Sequence, residues 1–243
     1  MTTQKAKPGP RPPERLHSSR RRRSFGVKVG VFAAATAIGL GGCSATADRS
    51  GADNATTTAP AEAPETTALE VATGFVDAYG AFDVEQATTY LADDADIAPL
   101  IESIGAAGVQ GTLEEFRQLI SLLEAQGYRQ MLDSCEEQAA AVHCTFDFHL
   151  IRSDEVGLGP FSGSYFDLTV RDGRIARASK HWDIEEFSPQ MWEPFARWVS
   201  TAHPEDAPVM YADGNFSGAR LSSESIRLWE QRSREYVAME TAR

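Results

Sequence analysis

Large apolar side chains are absent from residues 44–67 and then arrive in a regular rhythm. Leu69, Ala72, Phe75, Val76 and Tyr79 recur at the three- and four-residue spacing that lines one face of a helix. Asp83, with Gln86 three residues on, opens a second short helix carrying Val84, Ala87 and Leu91. Thr112-Leu113-Glu114-Glu115 has the form of a capping box, in which the Thr hydroxyl and the Glu carboxylate each accept from an otherwise unpaired backbone N–H. It predicts a third helix with Leu113, Phe116, Leu119, Ile120 and Leu123 turned inward and a stop at Gly127.

The period then switches from helical to two. Tyr128 to Cys135 and Val142 to Ile151 read as a hairpin; Val142, Cys144, Phe146, Phe148 and Leu150 share one face, and His143, Thr145, Asp147 and His149 the other. Phe161 to Arg171 is a third strand with Phe166, Leu168 and Val170 on one side, and Asp172-Gly173 supplies a tight turn. Arg174 to Glu185 is a fourth strand, whose alternation turns Trp182 and Ile184 inward and His181 and Asp183 outward, unless a bulge inverts it. Three helices followed by an antiparallel meander make an α+β domain. A further segment begins at Ser188-Pro189, a cap with Pro at the first helical position. It carries a Trp192, Phe195, Val199 stripe, then a loop around His203-Pro204. Ser222 opens a last helix with Ile226, Trp229 and Tyr236.

The N-terminal stretch has a different character. A basic block, Arg20 to Arg23, precedes a weakly apolar run from Val29 to Leu40. That run is short of the ~20 residues a permanent span needs. Basic, then apolar, then small residues is the order of an export signal. Leu40-Gly41-Gly42-Cys43 resembles the lipobox of bacterial lipoproteins, which implies a diacylglycerol thioether on Cys43 and cleavage just before it. An ordinary signal peptide or an uncleaved anchor with an incidental Cys is the alternative. Arg22-Arg23-Ser24-Phe25, with Lys28 beyond, resembles a twin-arginine signal, although Gly26 stands where a Leu is usual; a generic basic region is the other reading.

The expected organisation is therefore a signal at 1–42, then Cys43 with a disordered linker to 68. A folded domain at 69–187 and a helical extension packed on it at 188–243 complete the chain. As a flexible coil the linker spans about 25–30 Å, a stand-off from the extracytoplasmic face of a cell membrane.

Charge sharpens this division. Of 23 basic and 35 acidic residues, nine bases and one acid fall in 1–42, which leaves 14 bases against 34 acids beyond it, a net of −20. A body that acidic repels phosphate backbones, so nucleic acid is excluded as its partner. Two cysteines remain for the body, Cys135 and Cys144, one on each arm of the hairpin and within reach of a disulfide. Metal binding by Cys135, His143 and Cys144 is the rival, opposed by the opposite facing of strand neighbours 143 and 144. No phosphate loop, zinc-protease helix or nucleophile elbow occurs, and no cofactor or metal is implied.

The body resembles the nuclear transport factor 2-like superfamily, in its SnoaL-like branch, over residues 69–187. The stretches that carry this are Leu69 to Tyr79 with Asp83, Tyr90-Leu91-Ala92-Asp93-Asp94, and Asp172-Gly173-Arg174-Ile175 with His181-Trp182-Asp183. The resemblance implies a cone: three helices packed on a strongly curved antiparallel sheet. The tail from Leu221 to Trp229 resembles extensions of exported actinobacterial members. Enzymes of the superfamily place a carboxylate, with Tyr or His, inside the cone to move a proton next to a carbonyl.

Asp77, His181 and Asp183 are the catalytic candidates on that reading, with Tyr79, Asp83, Tyr90, His149 and Tyr165 also considered. Phe75, Tyr79, Tyr90, Phe116, Phe146, Phe148, Phe166 and Trp182 are the pocket candidates. Three functions follow as expectations. The first is a membrane-tethered, non-enzymatic module that binds a small apolar molecule or an envelope protein. The second is a ketosteroid-isomerase-like enzyme, and the third a structural module that forms a homodimer.

Overall fold

The structure is a computed structural model, and it describes residues 66–106, 108–213 and 216–243. Cys43, the lipobox, the basic block and the linker to residue 65 lie outside the described residues.

Helix α1 (Ala68–Gly80) starts at a capping box that the sequence reading passed over. Thr67 accepts from Glu70 N–H, and Glu70 accepts from Thr67 N–H. Asp83 caps α2 (Val84–Thr89) through Gln86 N–H at 2.9 Å, as expected. The chain then forms two elements that periodicity did not predict, strand β1 (Leu91–Asp96) and helix α3 (Ala98–Glu102). Helix α4 (Leu113–Ala125) begins at the predicted Thr112 capping box and ends before Gly127, which has a left-handed backbone.

Strands β2 (Arg129–Gln138), β3 (Ala141–His149), β4 (Phe161–Arg171) and β5 (Arg174–His181) follow in an antiparallel meander. Asp172 and Gly173 both take positive φ in the β4–β5 turn, the mirror-image geometry that Asp-Gly favours.

Sheet order is β1-β5-β4-β3-β2, and β1 pairs with β5 in parallel. The sheet is thus mixed rather than wholly antiparallel. The sequence Leu-Ala-Asp-Asp-Ala-Asp has no apolar alternation to announce a strand; arginines of the neighbouring strands hold it instead. Arg171 meets Asp94 at 3.0 Å, Arg177 pairs with Asp96, and Arg174 donates to Leu91 O at 3.3 Å.

Register irregularities fall on β2 between Leu132 and Ser134, on β4 opposite Phe146–Phe148, and on β5 opposite Thr169–Val170. The last turns Ile175 inward while Ala178 and Lys180 stay on the inner phase. Because β5 ends at His181, Ile184 is not an inward strand residue: it is 51% exposed. Leu113, at the first position of α4, is likewise exposed.

Cys135 and Cys144 are register partners joined by a disulfide (S–S 2.07 Å). The metal alternative falls with it, since His143 turns its ring to Asp167 on the other face, Nδ1 to Oδ1 2.8 Å.

The C-terminal segment packs on this frame. A π-helical turn (Ser188–Trp192) leads into α5 (Glu193–Ala202), followed by α6 (Ala207–Met210) and α7 (Ser223–Thr241). Trp229 lies between Trp192 and Phe195, with ring centroids 5.5 and 5.4 Å away, and its indole N–H donates to Met210 O at 3.2 Å. Ser233 of α7 donates to Ala125 O at the end of α4 (3.3 Å), so one hydrophobic core runs from Val71 on α1 to Val237 on α7.

Candidate functional site

Alternation along β5 puts Ala178, Lys180 and Trp182 on one side, and that side faces the core. A lysine in this phase is forced among aromatic rings. Its Nζ lies 3.7 Å from the ring centroid of Trp182, 4.4 Å from Tyr128 and 4.6 Å from Tyr79. Phe146 and Phe166 follow at 4.7 and 4.9 Å. Lys180 keeps 6% of its surface.

Its polar partner is Tyr128, whose Oη accepts from Nζ at 2.9 Å and donates to Gln130 Oε1 at 2.6 Å. Gln130 Nε2 in turn donates to Val76 O of α1 at 3.2 Å. Tyr79 Oη is buried in the same cage with no hydrogen-bond partner.

Two effects oppose each other at Nζ. Ring quadrupoles attract a cation, each by about 0.5–2 kcal/mol. Removing an ammonium from water costs several kcal/mol, and no carboxylate forms an ion pair with Lys180 among the described residues. Burial wins and pushes the Lys180 amine well below its ordinary value. Burial drives the Tyr128 phenol well up, with Tyr79 adding to the effect, and it raises Tyr79 as well. The cage therefore favours an uncharged amine beside two uncharged phenols.

Lys180 and Trp182 also belong to the wall of a cavity of about 620 Å³ at the C-terminal end of β5. Phe187, Trp192 and Phe216 supply more of the wall, and Glu102 and Glu193 bring acid to it. Its walls are pinned by indoles. Trp182 Nε1 donates to Ser103 Oγ at 3.2 Å, and Trp192 Nε1 to Phe216 O at 2.8 Å. Gly105 and Gly218 bring two backbone segments together beside it: a Cβ on Gly218 would stand 2.4 Å from Gly105 O.

The residues singled out from sequence distribute differently from one another. Trp182 alone of the eight pocket candidates walls this cavity. Tyr79, Phe146 and Phe166 join it around the amine, whereas Phe75, Phe116 and Phe148 are packed core. Tyr90 is half-buried over Gly74 and accepts from Gln86 Nε2 at 3.2 Å.

Asp77 is exposed on α1. His181 touches the cavity wall, but its ring is exposed and stacks on Tyr165 at 4.8 Å. Asp183 is half-buried, takes Glu185 N–H on its carboxylate at 3.1 Å and sits against Gly163. None of the three reaches the aromatic cage in the way Lys180 does. The sequence reading missed Lys180, although the alternation that turned Trp182 inward applies equally two residues earlier.

One group of potential metal ligands, His203, Glu205 and Asp206, has its ligand atoms within 4.8 Å of one another. The Arg232 guanidinium already occupies the cationic place there, 2.7 Å from Asp206 and 2.5 Å from Glu235.

No family model matches the sequence, and no curated protein matches it. Several solved structures overlap part of the chain. A putative polyketide cyclase from Pseudomonas putida is 21% identical, with TM-score 0.37, covering 51% of this chain and 98% of its own. An LEH-like epoxide hydrolase from M. tuberculosis is 22% identical, with TM-score 0.35, covering 58% and 99%. An NTF2-like protein from Cytophaga hutchinsonii is 11% identical, with TM-score 0.36, covering 51% and 96%. Likeness at this level carries nothing about activity.

Proposed function

We propose that this protein is a lipid-anchored, extracytoplasmic binding module that takes a small apolar molecule into the cavity at the C-terminal end of β5. The observation that carries the reading is the cavity itself. At about 620 Å³, walled by Trp182, Phe187, Trp192 and Phe216, it has the size and aromatic lining of a small-molecule site. Leu40-Gly41-Gly42-Cys43 and the linker behind it support the anchor, which holds the cavity a few nanometres from the membrane surface.

Titration with Nile red, an apolar fluorophore, tests the cavity. Ser217 is exposed on its rim, so Ser217→Trp fills the space from outside the core. Saturable binding that Ser217→Trp abolishes at unchanged melting temperature is expected. Equal binding by both proteins overturns the reading. For the anchor, metabolic palmitate labelling and membrane partition are both lost in Cys43→Ala; labelling that persists removes the lipid from Cys43.

A further inference from the structure

We infer that the Lys180 amine is a nucleophile for a carbonyl ligand, and that an apolar aldehyde or ketone entering the cavity is held as an imine on Nζ. The inference rests on the cavity being a ligand site and names the class of ligand it takes.

Three observations converge. Lys180 belongs both to the cavity wall and to the aromatic cage, so its side chain links a space sized for a small molecule to the enclosed amine, with the Trp182 ring 3.7 Å from Nζ. Tyr79 Oη is fully buried beside it without a partner, a cost that packing alone does not explain and that a carbonyl oxygen would relieve.

The third is compositional: beyond residue 28 the chain contains thirteen arginines and a single lysine, Lys180. Arginine stays charged wherever it is placed, whereas a lysine can surrender its proton when buried. Beyond residue 28 the chain uses arginine for its exposed ion pairs and keeps its single lysine for the interior. Burial holding that amine well below its ordinary value agrees with this placement.

The step balances without an added reagent. The Nζ lone pair attacks the carbonyl carbon, the C=O π pair moves to oxygen, and the oxygen takes up a proton while nitrogen gives one up, leaving a carbinolamine. Loss of hydroxide as water, with the remaining N–H proton departing, gives the imine. The Tyr79 O–H, buried without a partner on a ring 4.6 Å from Nζ, would supply the donor to the oxygen. Tyr128, which accepts from Nζ and donates to Gln130, orients the amine. Entry to Nζ requires the Trp182 indole to swing from its 3.7 Å position, and its hydrogen bond to Ser103 is the tie that would break.

The test uses the full chain with trans-cinnamaldehyde and cyanoborohydride at pH 7, followed by peptide mass mapping. The uncleaved chain is used because it retains Lys5, Lys7 and Lys28, which serve as internal references. An unperturbed lysine is uncharged in only roughly one part in 2,500 at that pH. Reductive alkylation at Lys180 at least about tenfold faster than at the reference lysines is expected, with Nile red slowing it. Lys180→Met and Lys180→Arg should lose that adduct and still bind Nile red.

Saturable Nile red binding with no Lys180 adduct overturns the inference and leaves the binding module standing. Absence of both Nile red binding and adduct overturns the two together. An adduct at Lys180 that Nile red does not slow separates the amine from the cavity and also overturns the inference.

Discussion

Lys180→Met isolates the thermodynamic signature of the caged amine. Methionine has nearly the same length and volume, and Tyr128 keeps its donation to Gln130 when Nζ is removed. The unfolded chain binds a proton on Lys180 below its ordinary value near 10.5, whereas the folded chain, with that value well lowered, does not. The sign follows from this difference. As pH falls below about 10 the unfolded state gains a proton that the folded state lacks, so wild-type stability drops with falling pH, at about 1.4 kcal/mol per pH unit. The drop levels off only below the folded-state value.

Tyr79 and Tyr128, the titratable groups facing the amine, are present in both proteins, so their contribution cancels in the difference. Between pH 9 and pH 7 the advantage of Lys180→Met over wild type should widen as pH falls, with a slope of at most about 1.4 kcal/mol per pH unit. Urea unfolding followed by far-UV circular dichroism at half-unit pH steps reads it directly. Parallel curves for the two proteins would mean that the aromatic rings keep the ammonium charged, and the account of the cage given above would be wrong.

Other perturbations probe the frame around the site. Reduction of Cys135–Cys144, or its replacement by serines, should lower unfolding free energy by about 2–3 kcal/mol, the loop-closure entropy of a short ring; an unchanged urea midpoint would show that the hairpin does not depend on it. Trp229→Ala opens a void between Trp192 and Phe195 and should cost about 3–5 kcal/mol in urea unfolding, while a loss under about 1 kcal/mol would mean that α7 is not seated by this ring. Gly218→Ala drives a methyl group against Gly105 O, a backbone atom with no rotamer to escape by. A loss of about 1–3 kcal/mol together with weaker Nile red binding is expected, and wild-type values for both would contradict the close approach.

Much of the frame was legible because local signals and global packing agree. The Thr112 capping box, the Asp83 cap, the Asp172-Gly173 turn and the alternation of Val142 to Leu150 are each decided within a few residues. Strand β1 was not legible: its acids carry no apolar rhythm, and the arginines that pair with them arrive about eighty residues later. Ile184 was turned the wrong way because alternation persists only as long as the strand, and β5 stops at His181.

The cavity could not be read at all from periodicity. Ser103, Phe187, Trp192 and Phe216 come from separate elements, and phase within one element says nothing about which elements meet. Lys180 was legible in principle, as a base in step with Ala178 and Trp182 on the inner face of a strand. The family resemblance points to carboxylates and histidines, and so to the neighbouring His181 rather than to a lysine.

Both outermost strands of the sheet are acidic. β1 carries Asp93, Asp94 and Asp96, and β2, at the opposite end, carries Asp133, Glu136 and Glu137. A strand from another copy that tried to extend either margin would meet like charge, most directly at β2, whose Asp133, Glu136 and Glu137 form no ion pair among the described residues, whereas Asp94 and Asp96 of β1 are partly offset by Arg171 and Arg177. The molecule thus carries its own charge barrier to strand addition at the margins where unpaired backbone would otherwise invite it.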